Sequence, residues 1–191
     1  VKTLVLAARS FSIATWIATG VRPRTSPPLT MATFDPHEMD GSALVYVCTH
    51  GLPGQPYLYG DGLETMCSAE QVRQARLDGA ICYLAGCHGV GPMSDAFVAA
   101  GAACVVADRD SNWSGLFWPA GSNLLGRSFV RRLRRGEPAG EALAAALFDY
   151  ERRHTAPRDV ELVGSMVLVG DGSARLRVAR SGARYFGSGG R

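Results

Sequence analysis

At 191 residues the chain is the size of one domain and long enough to bury a continuous core without disulfides or metal. Apolar residues make up 47% and charged residues 19%, which excludes intrinsic disorder, and a net charge of +3 is too small to mark a nucleic-acid-binding protein. Every positive side chain except Lys2 is an arginine, which reads as a genome-wide compositional bias rather than arginine chemistry.

In chain order, the apolar run at residues 2–7 predicts a first buried strand, followed by a helix over 10–19 that Gly20 ends. Residues 22–40, with Pro23, Pro27, Pro28 and Pro36, read as an extended surface connection. The β-rich run at 43–50 (ALVYVCTH) is the second strand, and the Gly-, Pro- and Tyr-rich stretch 52–62 a loop or short hairpin at its carboxyl end. Ser68 is an N-cap for a helix over 69–77, with Gln71 completing a capping box. Asp78 and Gly79 turn the chain into a strand at 80–87 (AICYLAGC). Ser94 caps a short helix over 95–100, and 102–107 (AACVVA) is the next buried strand. A loop at 108–121 carries Trp113 and Trp118. Beyond it, Leu125, Phe129 and Leu133 mark one side of a helix over 123–135, and Pro138 opens another to about Arg153. A last apolar strand is placed at 162–169, and Gly170, Asp171 and Gly172 turn the chain towards 175–178. Alternating strands and helices imply an α/β fold with a parallel sheet covered on both faces.

The five cysteines, Cys48, Cys67, Cys82, Cys87 and Cys104, form an odd set without CxxC spacing, which predicts a reducing, cytoplasmic setting. The apolar stretch at 11–17 is far too short to span a membrane, so neither a membrane partner nor a leader is expected. Residues 1–180 read as one domain and the Gly- and Arg-rich residues 181–191 as a flexible tail, with the whole cut from a longer polypeptide.

Two strand ends carry the chemistry. The run at 43–50 stops on His50 and meets Gly51; the run at 80–87 stops on Cys87 and meets His88 and Gly89. Reactive groups in open α/β sheets collect at the carboxyl ends of strands, so adjacent parallel strands would bring His50 and Cys87 to one crevice. A thiol becomes a strong nucleophile when a histidine moves its proton, and main-chain N–H groups just past a strand can hold a developing oxyanion. His50 is then the general acid/base, Cys87 the nucleophile, and the N–H groups of Gly51 and Cys87 the oxyanion hole. No third, orienting carboxylate is evident, although Tyr57, Tyr59 and Asp61 follow His50 closely enough to line the cleft. Two other readings stay open on residue types alone: a structural cysteine and histidine, and a zinc set of Cys48, His50, Cys87 and His88. The arginines at 127, 131, 132, 134 and 135 read as a solvated helix face, with docking of an acidic partner the alternative and nucleic acid excluded by the lack of aromatic interleaving.

Segments 47–51 (VCTHG), 83–89 (YLAGCHG), 94–106 (SDAFVAAGAACVV) and 129–147 resemble, in order and spacing, the caspase-like CHAT peptidases, of the clan of caspases, separases and gingipains. The resemblance covers residues 43 to 178. It implies a caspase-like three-layer α/β/α sandwich with a mostly parallel sheet, and a cysteine endopeptidase that uses His50 and Cys87 to cleave a protein or peptide substrate through a thioacyl-enzyme. It implies neither cofactor nor metal, and a place beside a regulatory domain or partner protein in a larger bacterial assembly. A catalytically silent scaffold is the alternative. Three departures stand out: Gly89 follows the cysteine one residue early, with His88 between them; the loop after the 102–107 strand reads Asp108-Arg109-Asp110-Ser111-Asn112-Trp113; and the final turn is Gly-Asp-Gly rather than Gly-Asp-Pro. An acidic group in that loop would favour a basic side chain before the scissile bond, which makes Asp108 and Asp110 the substrate-binding candidates.

Overall fold

The computed structural model describes residues 1–177, so the tail at 181–191 lies outside the described residues. A six-stranded sheet forms the middle layer, built from β1 (Thr3–Ala8), β2 (Arg24–Ser26), β3 (Leu44–Cys48), β6 (Ile81–Leu84), β7 (Cys104–Asp108) and β8 (Met166–Gly170). Its order is β2-β1-β3-β6-β7-β8, parallel throughout except for β8, which runs antiparallel to β7. A hairpin of β4 (Tyr57–Tyr59) and β5 (Thr65–Ser68) stands apart from this sheet.

The central strands are buried on both faces, as a covered parallel sheet requires. Their side chains divide with a period of two. Tyr46, Cys48, Ile81, Tyr83, Cys104 and Val106 pack with α1 (Ser12–Thr19), α4 (Ser122–Arg134), α5 (Ala139–Glu151) and α6 (Pro157–Ser165). Val45, Val47, Cys82, Leu84, Val105 and Ala107 pack with α2 (Ala69–Arg73) and α3 (Pro92–Ala99). The result is the three-layer, mostly parallel α/β/α sandwich expected from the sequence.

Several local elements differ from the sequence reading, each for an identifiable reason. The proline-rich connection contains edge strand β2, which pairs parallel with β1 through Arg24, Thr25 and Ser26 before the prolines end it. Residues 162–165 are helical rather than extended: Pro157 at the first turn starts α6, and Leu162 and Ser165 are buried by it, so the last strand begins only at Met166. Ser94 is not the N-cap of α3. The helix starts at Pro92, and the Ser94 hydroxyl reaches back to accept the Gly91 N–H at 3.0 Å. The capping box of Ser68 and Gln71 forms as expected, but α2 stops at Arg73. Gly20, with φ of 72°, ends α1 in the left-handed conformation that glycine adopts at least cost.

One contact fixes how closely α4 lies on the sheet. Tyr46 and Tyr83, paired across β3 and β6, stack at 5.0 Å, and their hydroxyls bond Asn123 Oδ1 at 3.2 Å and the Ser122 carbonyl at 2.8 Å. Gly126 sits over both rings, where a Cβ would come within 2.4 Å of the Tyr46 hydroxyl and 2.8 Å of Tyr83 Cε1. These tyrosines are fully buried and hydrogen-bonded, so they cannot swing away without losing both their polar and their packing partners. Gly126→Ala is therefore expected to lower stability by about 1–3 kcal/mol despite the better helix propensity of alanine, which urea unfolding measures.

Candidate active site

Strands β3 and β6 pair in parallel with Leu44 opposite Ile81 and Val47 opposite Leu84. The same register continued past the strand ends sets His50 opposite Cys87. Both side chains line one cleft with Thr49, Gly51, Gly86 and Met93. The cleft is narrow, about 10 Å³, which admits about one water.

Gly51 is where the two loops meet. A Cβ there would lie 1.9 Å from the Cys87 carbonyl oxygen and 3.0 Å from its carbon. Both are backbone atoms, so no rotamer change relieves the collision, and only glycine allows this approach. The N–H groups of Gly51 and Cys87 make no hydrogen bond among the described residues, and both residues line the cleft. Unpaired main-chain donors at a reactive side chain are what an oxyanion site requires.

His50 is held by the hairpin. Its N–H donates to the Tyr59 carbonyl at 2.9 Å, and the Tyr59 N–H donates back at 3.1 Å. Phe11 packs on the imidazole at 5.1 Å between ring centroids. Asp61, brought round by the same hairpin, lies 3.9 Å from Nε2 and is itself fixed by the Ser10 N–H and hydroxyl at 3.0 and 2.6 Å. Asp61 thus stands where a carboxylate orients a catalytic histidine, a role the sequence reading did not give it. The signal lies in the His50–Tyr59 pairing, which folds the hairpin back over its own strand and is not written in any local spacing.

Cys87 is half-buried, whereas the other four cysteines are buried. Desolvation pushes the thiols of Cys48, Cys67 and Cys104 up to about 11, 12 and 12, and raises that of Cys82 as well, so these four behave as small apolar side chains. The Cys87 sulfur meets the loop that follows β7. The Asn112 N–H donates to Sγ at 3.3 Å, and the thiol reaches the Asn112 carbonyl at 3.4 Å.

The Asn112 side chain donates in turn to Asp108, whose second oxygen accepts from the Ser165 hydroxyl at 2.8 Å. Asp108 is fully buried, with both oxygens occupied inside the protein rather than presented at the cleft. Burial pushes its carboxyl up to about 6, against the lowering effect of Asn112 and Ser165. Asp110 is exposed, and its carbonyl accepts the His88 N–H at 2.9 Å, which ties its backbone to the residue after Cys87. His88 itself adopts φ of 52°, a left-handed conformation unusual for a residue with a Cβ, and its ring faces the Arg109 carbonyl at 3.3 Å and the Ser111 hydroxyl at 3.4 Å. Trp113 packs on the core under the Arg158 guanidinium at 4.0 Å, while Trp118 is exposed. Among the described residues no group of three or more His, Cys, Asp or Glu side chains is arranged to hold a metal ion. No helix among them is long and apolar enough to cross a membrane.

The architecture is a caspase-like α/β sandwich, with Cys87 and His50 just past neighbouring strand ends. In comparisons of structure, the chain is similar to the Arg-specific cysteine proteinase gingipain R (RgpB), with a TM-score of 0.65 and 12% identity over 92% of this chain and 47% of that one. It is also similar to RgpB of Porphyromonas gingivalis in the complex of its pro- and mature domains, with a TM-score of 0.63 and 13% identity over 92% and 48%. The chain thus spans about half the length of these neighbours. No protein-family model and no curated protein matches it in sequence.

Two outcomes test this geometry. Gly51→Ala is expected to lower stability by about 1–3 kcal/mol and to slow alkylation of Cys87 by iodoacetamide, because the two loops must separate. Asp108 supplies a pH dependence: the folded protein keeps its proton up to about pH 6 while the unfolded chain releases it near 3.8. Its contribution to stability therefore falls as pH rises between those values and is flat above them. In urea titrations Asp108→Asn should lack this component, gaining on the parent protein from about pH 4 to about pH 6.

Proposed function

We propose that this chain is a cysteine endopeptidase domain of CHAT type, with Cys87 as nucleophile and His50 as general acid/base. The observation that carries the reading is the convergence of these two side chains on one cleft, with Gly51 pressed against the Cys87 carbonyl. In the first half-reaction the thiolate attacks the scissile carbonyl and the N–H groups of Gly51 and Cys87 receive the oxyanion. His50 protonates the leaving amine as the tetrahedral species collapses to a thioester. Water, deprotonated by His50, then releases the acyl group and regenerates the thiol. Asp61 and Phe11 orient the imidazole, and the Asn112 N–H stabilises the sulfur anion.

The preferred substrate is a protein segment with a basic residue before the scissile bond. Asp110 supports this reading: it is exposed and tethered through His88 next to Cys87, whereas the Asp108 carboxylate is spent internally. The gingipain neighbours, described as Arg-specific, agree with that chemistry. The narrowness of the cleft supports a role as the effector part of a larger cytoplasmic bacterial protein, where a regulatory domain or partner widens it for a peptide.

Labelling with acyloxymethyl ketones varied at the P1 position tests the reading. Capture of the chain should depend on Cys87 and be fastest with arginine or lysine at P1. Cys87→Ala and His50→Ala should each reduce peptide hydrolysis on the order of 10⁴-fold. Asp110→Asn should cost about tenfold to a hundredfold in kcat/KM for arginyl substrates and little for leucyl ones. A folded chain that reacts with no probe, even with its flanking protein present, would leave the scaffold reading instead.

A further inference from the structure

We propose that the cavity between α4 and α5 is a binding site for a phosphate-bearing small molecule. The cavity measures about 260 Å³ and lies on the helical face remote from the strand ends that carry His50 and Cys87. Pockets for small organic ligands start at about 300 Å³, so it suits a compact ligand rather than a peptide.

The arginines of α4 divide into two kinds. Arg132 is neutralised by Glu137 and Asp149, and Arg134 donates to the Thr19 carbonyl at 2.7 Å. Arg127 and Arg131 form no ion pair among the described residues, and both line the cavity, joined by Arg153 from the end of α5. Like charges one helical turn apart repel each other, and the single carboxylate of the cavity, Asp149, which feels Arg131 and Arg153 as well as Arg132, is too little to balance three arginines. Three exposed arginines on two segments line the cavity, their forked N–H groups suit phosphate oxygens, and they carry more charge than a single carboxylate would need.

Two further groups complete the site. The Ser128 hydroxyl, between the two arginines, is buried and has no hydrogen-bond partner among the described residues, although a helical serine can bond the carbonyl one turn back; rotation about its Cα–Cβ bond would bring it to an anion in the cavity. His154, stacked on Tyr150 at 4.3 Å, adds a ring N–H donor to the lining. The one carboxylate in the cavity, Asp149, is bonded to Arg132 at 2.7 Å, and that contact holds its carboxyl below the ordinary range; because Arg132 also serves Glu137, Asp149 offsets part of the charge of Arg131 and Arg153 and leaves the cavity net positive.

Isothermal titration with pyrophosphate at physiological salt tests the site without reference to peptidase activity. The intact chain should bind it saturably at one site, and Arg131→Gln should weaken binding about tenfold or more, as expected for loss of a charge-assisted bidentate contact. Ser128→Ala should cost about threefold. Arg135→Gln, an exposed arginine outside the cavity, should change little. Pyrophosphate should raise the thermal midpoint of the parent chain but not of Arg131→Gln, which checks that the variant is folded as well as impaired. Failure to saturate at millimolar pyrophosphate, equal weakening by Arg131→Gln and Arg135→Gln, or tighter binding of an acidic peptide than of pyrophosphate would each overturn the proposal.

Discussion

The parallel pairing of β3 with β6 governs the rest of the structure. It sets the histidine of one strand end opposite the cysteine of the next, and the strands can lie in this register only because both faces are packed. Tyr46 against Tyr83 on one side, and Val47 with Leu84 on the other, resist any slip, since a shift by one residue would exchange buried faces. Gly51, at the cleft, and Gly126, on the sheet side of α4, are two of the points at which this arrangement tolerates no Cβ. The backbone, more than any side-chain contact, therefore places the reactive groups.

Around that constraint the site divides into a histidine half and a cysteine half, each supported from elsewhere in the chain. The hairpin carries Asp61 back to His50, and Ser10, from the turn after β1, fixes Asp61. The loop after β7 carries Asn112 to the thiol, and Asp108 and Ser165 fix Asn112 from beneath. Burying Asp108 costs desolvation free energy, recovered in part through its two hydrogen bonds. A polar group buried at such cost positions the loop that meets Cys87, and the same loop carries Asp110. The same helix α4 that covers Tyr46 and Tyr83 turns Arg127 and Arg131 to the outer cavity, so one element serves the core and a second, separate surface.

The strands of the central sheet were legible in the sequence because their apolar runs are unbroken, and the reactive pair because each run ends on a group of distinct chemistry followed closely by glycine. The fold class followed from the alternation of elements and from the family resemblance. Edge strand β2 was hidden among prolines, since an edge needs only a few paired residues and little apolar burial. Helix α6 was hidden because its apolar residues, Val160, Leu162 and Val163, are parted from those of β8 only by Gly164 and Ser165, too short a gap to mark a change of element. Asp61 was legible only as a residue able to line the cleft, and Asn112 not as a site residue at all, for another reason: each meets its partner through a turn whose direction depends on packing.

By itself, the sequence determined which segments must be buried, in what order strands and helices alternate, and that His50 and Cys87 close two neighbouring runs. These properties are local, set by side-chain polarity and by the backbone limits of proline and glycine. The tertiary structure alone decided that Asp108 faces inward while Asp110 faces the solvent, that Asp61 rather than a more distant carboxylate stands by the histidine, and that two of five clustered arginines are left without a partner in a cavity. Such outcomes depend on contacts between residues far apart in the chain, whose distances are fixed only once the sheet is packed on both sides.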